Sequence, residues 1–335
     1  MTRVHVLLPV YNAANTLRAV LDSVACQTYE DFTCWVMDDG SDDASAEIAA
    51  SFDTRFCVQR LPHGGIVHAL NEGLARIGAA EYIARVDADD VCHPERFALQ
   101  VAALDADARV DLVATQCDVV REDQDLGWGM ARYMTWANQV LSADEHFRAR
   151  YIESPIAHSS VMARLAVFEG GYRAVPWFED YDLWLRRLNG GARFTKVAQR
   201  LVRVLDRPDR TSRVDVRCTP EALMACKLHH LQRDVLATRP AVVVWGAGRV
   251  AKRWLRALPE VGVQVPFAIE LHPRRIGKTI HGARILAAAE LPWALERIEQ
   301  PLVLVAVGAP GARTDIRARM ETWAYKEGVD YLFVA

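Results

Sequence analysis

The first hundred residues alternate between short apolar runs and stretches whose apolar residues recur every three or four positions. The apolar runs lie at residues 4–10, 32–37 and 57–61. Short runs of this kind are typical of buried strands, and the spacing that follows each is typical of a helix packed on a sheet. A repeated strand–helix order predicts an α/β fold with a doubly wound, mostly parallel sheet. Ligands of such sheets bind beyond the carboxyl ends of the strands.

Carboxylates follow two of these predicted strands. Asp38 and Asp39 come after the second strand, and Asp87 and Asp89 come after a later one. Because side chains alternate along a strand, Arg85, Asp87 and Asp89 share one face. Carboxylates this close repel each other unless a cation lies between them, and oxygen ligands suit Mg²⁺ or Mn²⁺, which also bind phosphates. A solvated acidic turn is the structural alternative.

The bulk composition limits the class of protein. The chain has 335 residues, room for two or three domains, and it is 51% hydrophobic and 25% charged, as in soluble globular proteins. A net charge of −3 argues against nucleic-acid binding. Seven cysteines without a Cys-x-x-Cys pair suggest reduced thiols. Without a signal-peptide pattern or an apolar run of ~20 residues, we expect a cytoplasmic protein, at most peripheral to the inner membrane face.

Six short motifs occur in a fixed order along residues 1–215. They are Leu8-Pro9-Val10-Tyr11-Asn12, Asp38-Asp39-Gly40-Ser41, Ala69-Leu70-Asn71-Glu72-Gly73-Leu74, Val86-Asp87-Ala88-Asp89-Asp90 with Pro94-Glu95-Arg96, His158-Ser159-Ser160-Val161-Met162, and Phe178-Glu179-Asp180-Tyr181-Asp182-Leu183-Trp184. In this order they resemble the family-two nucleotide-sugar glycosyltransferases with the GT-A fold. The resemblance implies a metal-dependent, inverting transfer of a sugar from a nucleotide diphosphate donor, with a UDP-sugar favoured, to an acceptor hydroxyl.

The resemblance places the nucleotide at the ends of the first two strands. It implies that Pro9, Tyr11 and Asn12 hold the base and ribose, and that Asp39 accepts a hydrogen bond from a uracil-like ring. A tyrosine is suited to packing on a flat ring. A half-buried turn aromatic is the alternative for Tyr11, and a helix cap or turn residue is the alternative for Asp38 or Asp39.

The resemblance also implies a divalent cation, Mn²⁺ or Mg²⁺, at the later acidic cluster. Asp89 is the predicted metal ligand, and Asp87 helps through the ribose or a metal-bound water. His158 is a candidate for the metal or the diphosphate, or else a hydrogen-bonded structural residue. Arg85 adds positive charge at the nucleotide or forms a structural ion pair, and Asp90 is a candidate cap of the following helix. A divalent ion offsets the charge that grows on a leaving diphosphate.

Asp180 is the predicted catalytic base. The family places its base at the second residue of a Glu-Asp pair, here Glu179-Asp180. An acceptor hydroxyl must lose its proton as it attacks the anomeric carbon, and a single base implies one in-line displacement with inversion. Asp182 is the rival carboxylate, on another side of the same predicted helix. An acidic helix N-terminus is the structural alternative for all three.

A basic stretch follows this catalytic motif. Arg203, Arg207 and Arg210, with Asp206 and Pro208, resemble the loop that closes over the diphosphate in relatives. Arginine is well suited to phosphate recognition. A solvated linker is the structural alternative.

A second strand–helix pattern begins near residue 239. Its first strand runs into Gly246-Ala247-Gly248, and Ala251 completes the pattern G-x-G-x-x-A, which holds phosphates at a helix N-terminus. Glu270 ends the next predicted strand, where a ribose-binding acid stands in dinucleotide-binding folds. Gly246, Gly248, Ala251 and Glu270 thus form a candidate second nucleotide site.

Three interpretations of this C-terminal part stay open. Residues 277–286 resemble the small, Rossmann-like nucleotide-sugar-binding domains that precede some sugar acyltransferases. The candidates are a docking module through which the chain forms a homo-oligomer, a nucleotide or nucleotide-sugar binding module, and a working dehydrogenase. The predicted organisation is a GT-A domain at 1–215, a helical linker at 216–238 and a small Rossmann-like α/β domain at 239–335.

The main rivals to a glycosyltransferase are a nucleotidyltransferase and a nucleotide-sugar sensor. A nucleotidyltransferase also uses strand-end carboxylates and a metal, but it normally begins with a Gly-rich, basic phosphate loop, unlike residues 9–12. A sensor without catalysis has no need of both Asp89 and Asp180. No motif identifies the acceptor, so a glycan, a lipid-linked sugar and a small molecule stay open.

Overall fold

The computed structural model describes residues 2–121, 127–207 and 210–335, apart from the side chains of Thr211 and Ser212. It divides into two compact units. The first runs to residue 146 and resumes at 154–223, and the second comprises 147–153 and 224–335. Residues 147–153, inside the range expected for the first domain, therefore group with the second unit. The expected linker at 216–238 is divided between the units at residue 223.

Strands and helices alternate along most of the described residues. The strands are β1 Val4–Val10, β2 Phe32–Asp38, β3 Phe56–Arg60, β4 Tyr82–Arg85, β5 Asp90–Cys92, β6 Leu112–Val120, β7 Met162–Arg164, β8 Phe194–Leu205, β9 Ala241–Trp245, β10 Gln264–Glu270, β11 Thr279–Ile280, β12 Ala283–Ala287, β13 Val303–Val305 and β14 Tyr331–Phe333. The helices are α1 Ala14–Ala25, α2 Ser45–Ala50, α3 Ile66–Ile77, α4 Arg96–Ala106, α5 Trp128–Gln139, α6 Ala143–Ala149, α7 Glu179–Asn189, α8 Thr211–Val214, α9 Pro220–Arg233, α10 Arg249–Glu260, α11 Leu291–Leu295 and α12 Ala312–Thr322. Short 3₁₀ turns lie at His158–Ser160, Leu165–Phe168, Val216–Cys218 and Ala288–Glu290. None of these helices is both long and apolar enough to cross a bilayer.

The first unit is built on an eight-stranded sheet in the order β3-β2-β1-β4-β7-β6-β8-β5. Strands β1 to β4 are parallel, and β7 pairs antiparallel with both β4 and β6. The α/β fold with a doubly wound, mostly parallel sheet is therefore confirmed. In the order 3-2-1-4 the chain reverses its direction of winding between β1 and β4. The carboxyl ends at such a reversal form the usual ligand crevice of an open α/β sheet.

Helices cover both faces of this sheet. The even-numbered valines of β1, such as Val4 and Val6, pack against α1 and α4, and Leu7 faces the other way toward α3 and α7. This alternation follows from the two-residue period of a strand. Burial on both faces explains why the strands read as continuous apolar runs.

A tight turn joins the end of β2 to the loop after β3. Gly40 lies in it with φ +75°, and a Cβ there would stand 2.9 Å from the backbone nitrogen of His63 and 3.2 Å from the carbonyl oxygen of Leu61. Asp38 holds the turn closed because its Oδ1 accepts a hydrogen bond from Ser41 N–H at 3.0 Å. Only a glycine has both the free φ and the space that this close approach requires.

The second unit contains a six-stranded sheet in the order β11-β12-β10-β9-β13-β14. All neighbours are parallel except β11, which pairs antiparallel with β12. Gly246 directly follows β9, α10 begins at Arg249, and Glu270 ends β10. These three positions agree with the predicted strand–turn–helix arrangement.

Replacing Gly40 by alanine tests the role of this turn. Gly191, after α7, also has a positive φ of +91° but has open space around it, so it is a matched control. Gly191→Ala should cost only backbone strain, about 1 kcal/mol. Gly40→Ala should cost roughly a further 1–3 kcal/mol, because the new methyl group meets backbone atoms. Thermal unfolding of the full chain measures both, and equal midpoints for the two variants would contradict the assigned role of the turn.

Candidate active site

The predicted site residues lie at the carboxyl edge of the parallel strands. Tyr11 directly follows β1, Asp39 directly follows β2, and Asp87 and Asp89 follow β4. β1 pairs with β2 on one side and with β4 on the other, so these three strand ends are neighbours. The fold therefore brings together the two acidic clusters that lie about fifty residues apart in the sequence.

The carboxylate of Asp39 is buried and bound by the loop after β3. Its Oδ1 accepts from Gly64 N–H at 2.9 Å, and its Oδ2 accepts from Gly65 N–H at 2.8 Å. His63 Nδ1 lies 2.9 Å from the same Oδ2. Asp39 thus orders this loop, as the turn-residue alternative expects. A carboxylate oxygen can accept more than one hydrogen bond, so contact with a nucleotide base stays a prediction.

An aromatic pair that the sequence analysis missed stands at this end of the site. The rings of Tyr11 and His63 stack with centroids 4.2 Å apart and planes at 27°. Tyr11 remains 48% exposed, so part of its ring is open to a ligand. The position of His63, after β3 and directly before two glycines, was the signal that could have found it.

Pro9 and Asn12 shape the backbone beside this pair. Pro9 lies within β1, in register with Met37 of β2. Asn12 has a positive φ of +48°, and its Oδ1 accepts from Asp42 N–H at 2.9 Å. Its own N–H donates to Ser41 Oγ at 3.0 Å. Asn12 therefore ties the end of β1 to the turn after β2, and its contact with a nucleotide stays a prediction.

Arg85 is fully buried at the end of β4. Its Nη1 donates to the carbonyl oxygen of Leu7 at 3.0 Å, and its Nη2 donates to Asp87 Oδ1. Its Nε donates to His158 Nε2 at 3.1 Å. The guanidinium is thus surrounded by acceptors, and it forms the structural ion pair that was one of the two interpretations. Its charge lowers the pKa of Asp87 against the opposing effect of burial.

His158 belongs to the hydrogen-bond chain of Arg85. The hydroxyl of Tyr172 lies 2.7 Å from the Nε2 atom that accepts from Arg85. Burial and then the charge of Arg85 lower the pKa of His158 well below its usual value, so the imidazole is neutral. In the described part of the chain, no group of three or more His, Cys, Asp or Glu side chains is placed to hold a metal ion. The arrangement favours His158 as a structural partner of Arg85, and its metal role stays a prediction.

Asp89 and Asp90 share a single arginine. Arg210 Nε lies 3.6 Å from Asp89 Oδ2, and Arg210 Nη2 lies 3.3 Å from Asp90 Oδ2. Burial and the neighbouring Asp87 raise the pKa of Asp89 in spite of this arginine. Burial raises the pKa of Asp90 to about 7. Burial is thus the main cause that disfavours the charged forms of both carboxylates.

Asp90 does not cap the following helix, so this expectation was wrong. It is the first residue of β5, is fully buried and accepts a hydrogen bond from Ser159 Oγ. Helix α4 begins after Glu95 without a side-chain cap. The antiparallel pairing of β5 with β8 carries Asp90 away from the helix and into the cluster.

Asp89 and Asp87 fit a divalent cation that takes most of its ligands from elsewhere. Mg²⁺ is commonly held by one or two carboxylates, with phosphates and waters completing its shell, and Mn²⁺ accepts the same oxygen donors. Burial and then the charge of Asp87 raise the pKa of Asp89, and a bound cation would favour its charged form instead. These two residues would hold the ion, and the described residues offer no complete protein cage.

The basic stretch is only partly assembled around this cluster. Arg210 contacts it directly, and the charge of Arg207 also lowers the pKa of Asp89. Arg203 lies exposed on β8, in register with Val91 of β5. Pro208 lies outside the described residues.

The candidate base lies at the N-terminus of α7. Burial, followed by the charge of Glu179, raises the pKa of Asp180 to about 7. Its Oδ1 accepts from Tyr181 N–H at 2.6 Å. Burial also raises the pKa of Glu179, and Arg217 Nη1 lies 3.5 Å from its Oε2. The charges of Asp87 and Arg85 also affect Asp180, which links this helix end to the edge of β4.

The rival carboxylate, Asp182, is part of the internal structure. It is fully buried, its Oδ2 accepts from Arg186 Nε–H at 3.1 Å, and its Oδ1 accepts from Trp177 Nε1–H at 3.3 Å. A carboxylate held by an arginine is a poor proton acceptor, since the ion pair stabilises its charged form. Asp180 is the better placed of the two.

A second buried arginine binds the backbone of the segments that carry the site residues. Arg96 of α4 donates to the carbonyl oxygens of Arg85 at 2.9 Å and Val161 at 3.1 Å. Gln100, one turn later, donates to the carbonyl oxygens of Val113 at 2.6 Å and Ser160 at 2.9 Å. These bonds satisfy backbone groups where the parallel half of the sheet meets the antiparallel half. Arg96 belongs to one of the six motifs, but the sequence did not predict its supporting role.

The glycine turn of the second unit is closely packed. Gly246 has φ +126°, and a Cβ there would stand 3.2 Å from the Cβ of Ala251 and 3.1 Å from the carbonyl oxygen of Ala306. Gly248 has open space around it. The glycine at 246 thus serves the close packing of α10 against β9, as in phosphate-binding turns.

Glu270 is engaged by its own loop. Its Oε1 accepts from Leu271 N–H at 2.8 Å, and its Oε2 pairs with Arg275 Nη1 at 2.8 Å. The same Nη1 lies 3.4 Å from the carbonyl oxygen of Ala247. Arg275 therefore stands between the glycine turn and the acid. Nucleotide binding at Gly246, Gly248, Ala251 and Glu270 stays a prediction. A nucleotide bound there would have to displace Arg275.

Comparison with known sequences identifies the N-terminal part. The family described as "Glycosyl transferase family 2" matches residues 5–169. The putative glycosyltransferase EpsE of Bacillus subtilis is 28% identical over 217 residues, which are 62% of this chain and 74% of that protein. An uncharacterized glycosyltransferase of Rickettsia typhi is 26% identical over 55% of this chain, and the chain spans only 58% of that relative.

Solved structures agree with the fold. TarS of S. aureus, residues 1–349, in complex with UDP-GlcNAc aligns with TM-score 0.53 and 15% identity over 77% of this chain and 80% of that one. The same protein in complex with UDP aligns with TM-score 0.52 and 16% identity over 69% of this chain and 66% of that one. At this identity the likeness shows the shared GT-A fold alone. The sequence match and the relatives show a glycosyl transferase family 2 domain at residues 5–169, and the fold agrees with it.

Proposed function

We propose that this family 2 glycosyltransferase moves a sugar from a nucleotide diphosphate donor to an acceptor hydroxyl in one inverting step. The observation that carries the proposal is the position of Asp180 in the first turn of α7, where burial and the charge of Glu179 raise its pKa to about 7. A general base is most effective when its pKa is near the working pH. The charges of Arg85 and Asp87 act on the same carboxyl, so the candidate base belongs to the strand-end site.

The donor nucleotide is assigned to the ends of β1 and β2. The half-exposed Tyr11, stacked on His63, offers an aromatic surface for a base. Asp39 binds the loop that carries His63. A uridine nucleotide is favoured because the structurally similar TarS was solved with UDP and with UDP-GlcNAc. The diphosphate would then extend toward Asp87 and Asp89 at the end of β4.

The acidic cluster is assigned to the diphosphate through a divalent cation, Mn²⁺ or Mg²⁺. Asp89 and Asp87 would hold the ion, which when bound acts as a Lewis acid toward the leaving diphosphate. Arg210 holds positive charge beside Asp89 and Asp90. Such a charge favours the developing anion because it is fixed in place before the reaction.

Asp180 accepts the proton of the acceptor hydroxyl as its oxygen attacks the anomeric carbon. The bond from that carbon to the diphosphate oxygen breaks in the same step, so the sugar carbon inverts. A carboxylate that is buried and already repelled by Glu179 gains stability when it takes up this proton. The acceptor itself, whether a glycan, a lipid-linked sugar or a small molecule, stays open.

Asp180→Asn removes the proton acceptor while keeping the shape of the side chain. Turnover should fall by about 10²–10⁴-fold, the usual contribution of a general base. UDP release from a panel of UDP-sugars, with water or an added acceptor, measures this loss. Calorimetric titration with UDP should give an unchanged Kd, because Asp180 is assigned to the acceptor proton and not to the donor. Unchanged turnover would discard the base assignment.

The pH dependence of kcat/KM provides an independent check. The base must be deprotonated, so the rate should be low below pH 7, rise through about 7 and level off above it. Because the charge of Glu179 raises the pKa of Asp180, Glu179→Gln should shift this midpoint to lower pH. A midpoint that stays in place in Glu179→Gln would contradict the coupling between the two carboxyls.

A further inference from the structure

The second unit carries a concentration of positive charge that the chain as a whole does not. Residues 249–284 contain eight Lys and Arg but only two Asp and Glu, in a chain whose net charge is −3. All eight basic side chains are exposed. Gathering like charges on one surface costs free energy, and a surface of this kind is typical of a site for a polyanion.

Helix α10 supplies one half of this charge. Its buried residues, among them Trp254 and Leu255, face the core of the second unit. Arg249, Lys252 and Arg256 lie on the opposite, exposed side at helical spacing. The apolar side of the helix is therefore already covered, and its basic residues face the solvent.

The loop between β10 and β12 supplies the other half, and two contacts place it beside α10. Arg256 Nε donates to His281 Nε2 at 3.2 Å, and Arg275 Nη1 lies 3.4 Å from the carbonyl oxygen of Ala247, just before the helix. Arg274 and Lys278 of this loop are exposed. The surface formed by Arg249, Lys252 and Arg256 with Arg274 and Lys278 is called the basic face below.

Two exposed aliphatic side chains lie next to the basic residues in the sequence. Val250, in the first turn of α10, is 36% exposed, and Leu271, at the start of the loop, is 61% exposed. Nucleic-acid surfaces combine positive charge with aromatic side chains on which bases stack. A lipid surface instead combines electrostatic attraction with aliphatic side chains that enter the headgroup region. The charge together with Leu271 favours lipid.

We propose that the basic face docks the chain on a membrane that carries anionic phospholipids. The docking is peripheral: phosphate groups of the lipid face the arginines and lysines, and Leu271 enters between the headgroups. Each basic residue near such a surface raises the equilibrium constant for membrane binding about fivefold, so several together are needed for stable binding. This inference requires no nucleotide and does not rest on the proposed glycosyl transfer.

Sedimentation of the full chain with vesicles tests the proposal. Vesicles of phosphatidylcholine alone are compared with vesicles that contain phosphatidylglycerol, at low and high salt. The protein should pellet only with the anionic vesicles. It should be released at 1 M salt, where charges are screened beyond about 3 Å.

Two matched triple variants locate the surface. Arg249→Gln with Lys252→Gln and Arg274→Gln removes three charges from the basic face, and partition should weaken on the order of 100-fold. Arg233→Gln with Arg319→Gln and Lys326→Gln removes three exposed charges from other parts of the second unit and should leave partition nearly unchanged. All six residues are exposed, and equal thermal midpoints verify the folding of both variants.

The variant Leu271→Asn distinguishes binding to lipid from binding to other polyanions, because it removes an aliphatic side chain and leaves the charge unchanged. It should weaken binding to anionic vesicles but leave any binding to a single-stranded oligonucleotide unaltered. The proposal is overturned if the chain does not bind anionic vesicles, if both triple variants weaken equally, or if Leu271→Asn has no effect. Binding to the oligonucleotide without binding to vesicles would also overturn it.

Discussion

The buried guanidinium of Arg85 is the interaction on which the candidate site depends. A buried charge is costly unless it is paired and fully hydrogen-bonded. Arg85 meets this condition by binding Leu7 of β1, Asp87 after β4 and His158 from a distant segment. Removing any partner leaves part of a charge unsatisfied, so these segments are held together. The position of Asp87, and of Tyr172 behind His158, follows from this arrangement.

A group of buried carboxyls with raised pKa values is the second feature of the site. Burial and mutual repulsion raise the pKa of Asp89, Asp90, Glu179 and Asp180 above their usual values. Arg210 and Arg217 offset only part of this charge. A site of this kind has an affinity for cations and protons, which is what the departure of a diphosphate and the deprotonation of a hydroxyl require. The burial of these carboxyls therefore bears on both halves of the proposed chemistry.

Sequence patterns predicted the parallel sheet and the edge at which the site lies, because these follow from local periodicity and from a general property of open α/β sheets. They did not predict the stack of Tyr11 on His63 or the bonds that Asp90 makes with Ser159 and Arg210. Both join residues more than fifty positions apart, and no local pattern encodes such a distance. The expectation that Asp90 caps a helix failed for the same reason: the pairing of β5 with β8 decides its position.

The binding of UDP in the presence and absence of Mn²⁺ tests whether the donor lies at the carboxyl edge of β1, β2 and β4. Calorimetry would compare the wild type with Asp89→Ala in the first unit and Glu270→Gln in the second. Manganese-dependent binding should be lost in Asp89→Ala and kept in Glu270→Gln. Binding that survives in Asp89→Ala, needs no metal and is lost in Glu270→Gln would instead assign the nucleotide to the second unit.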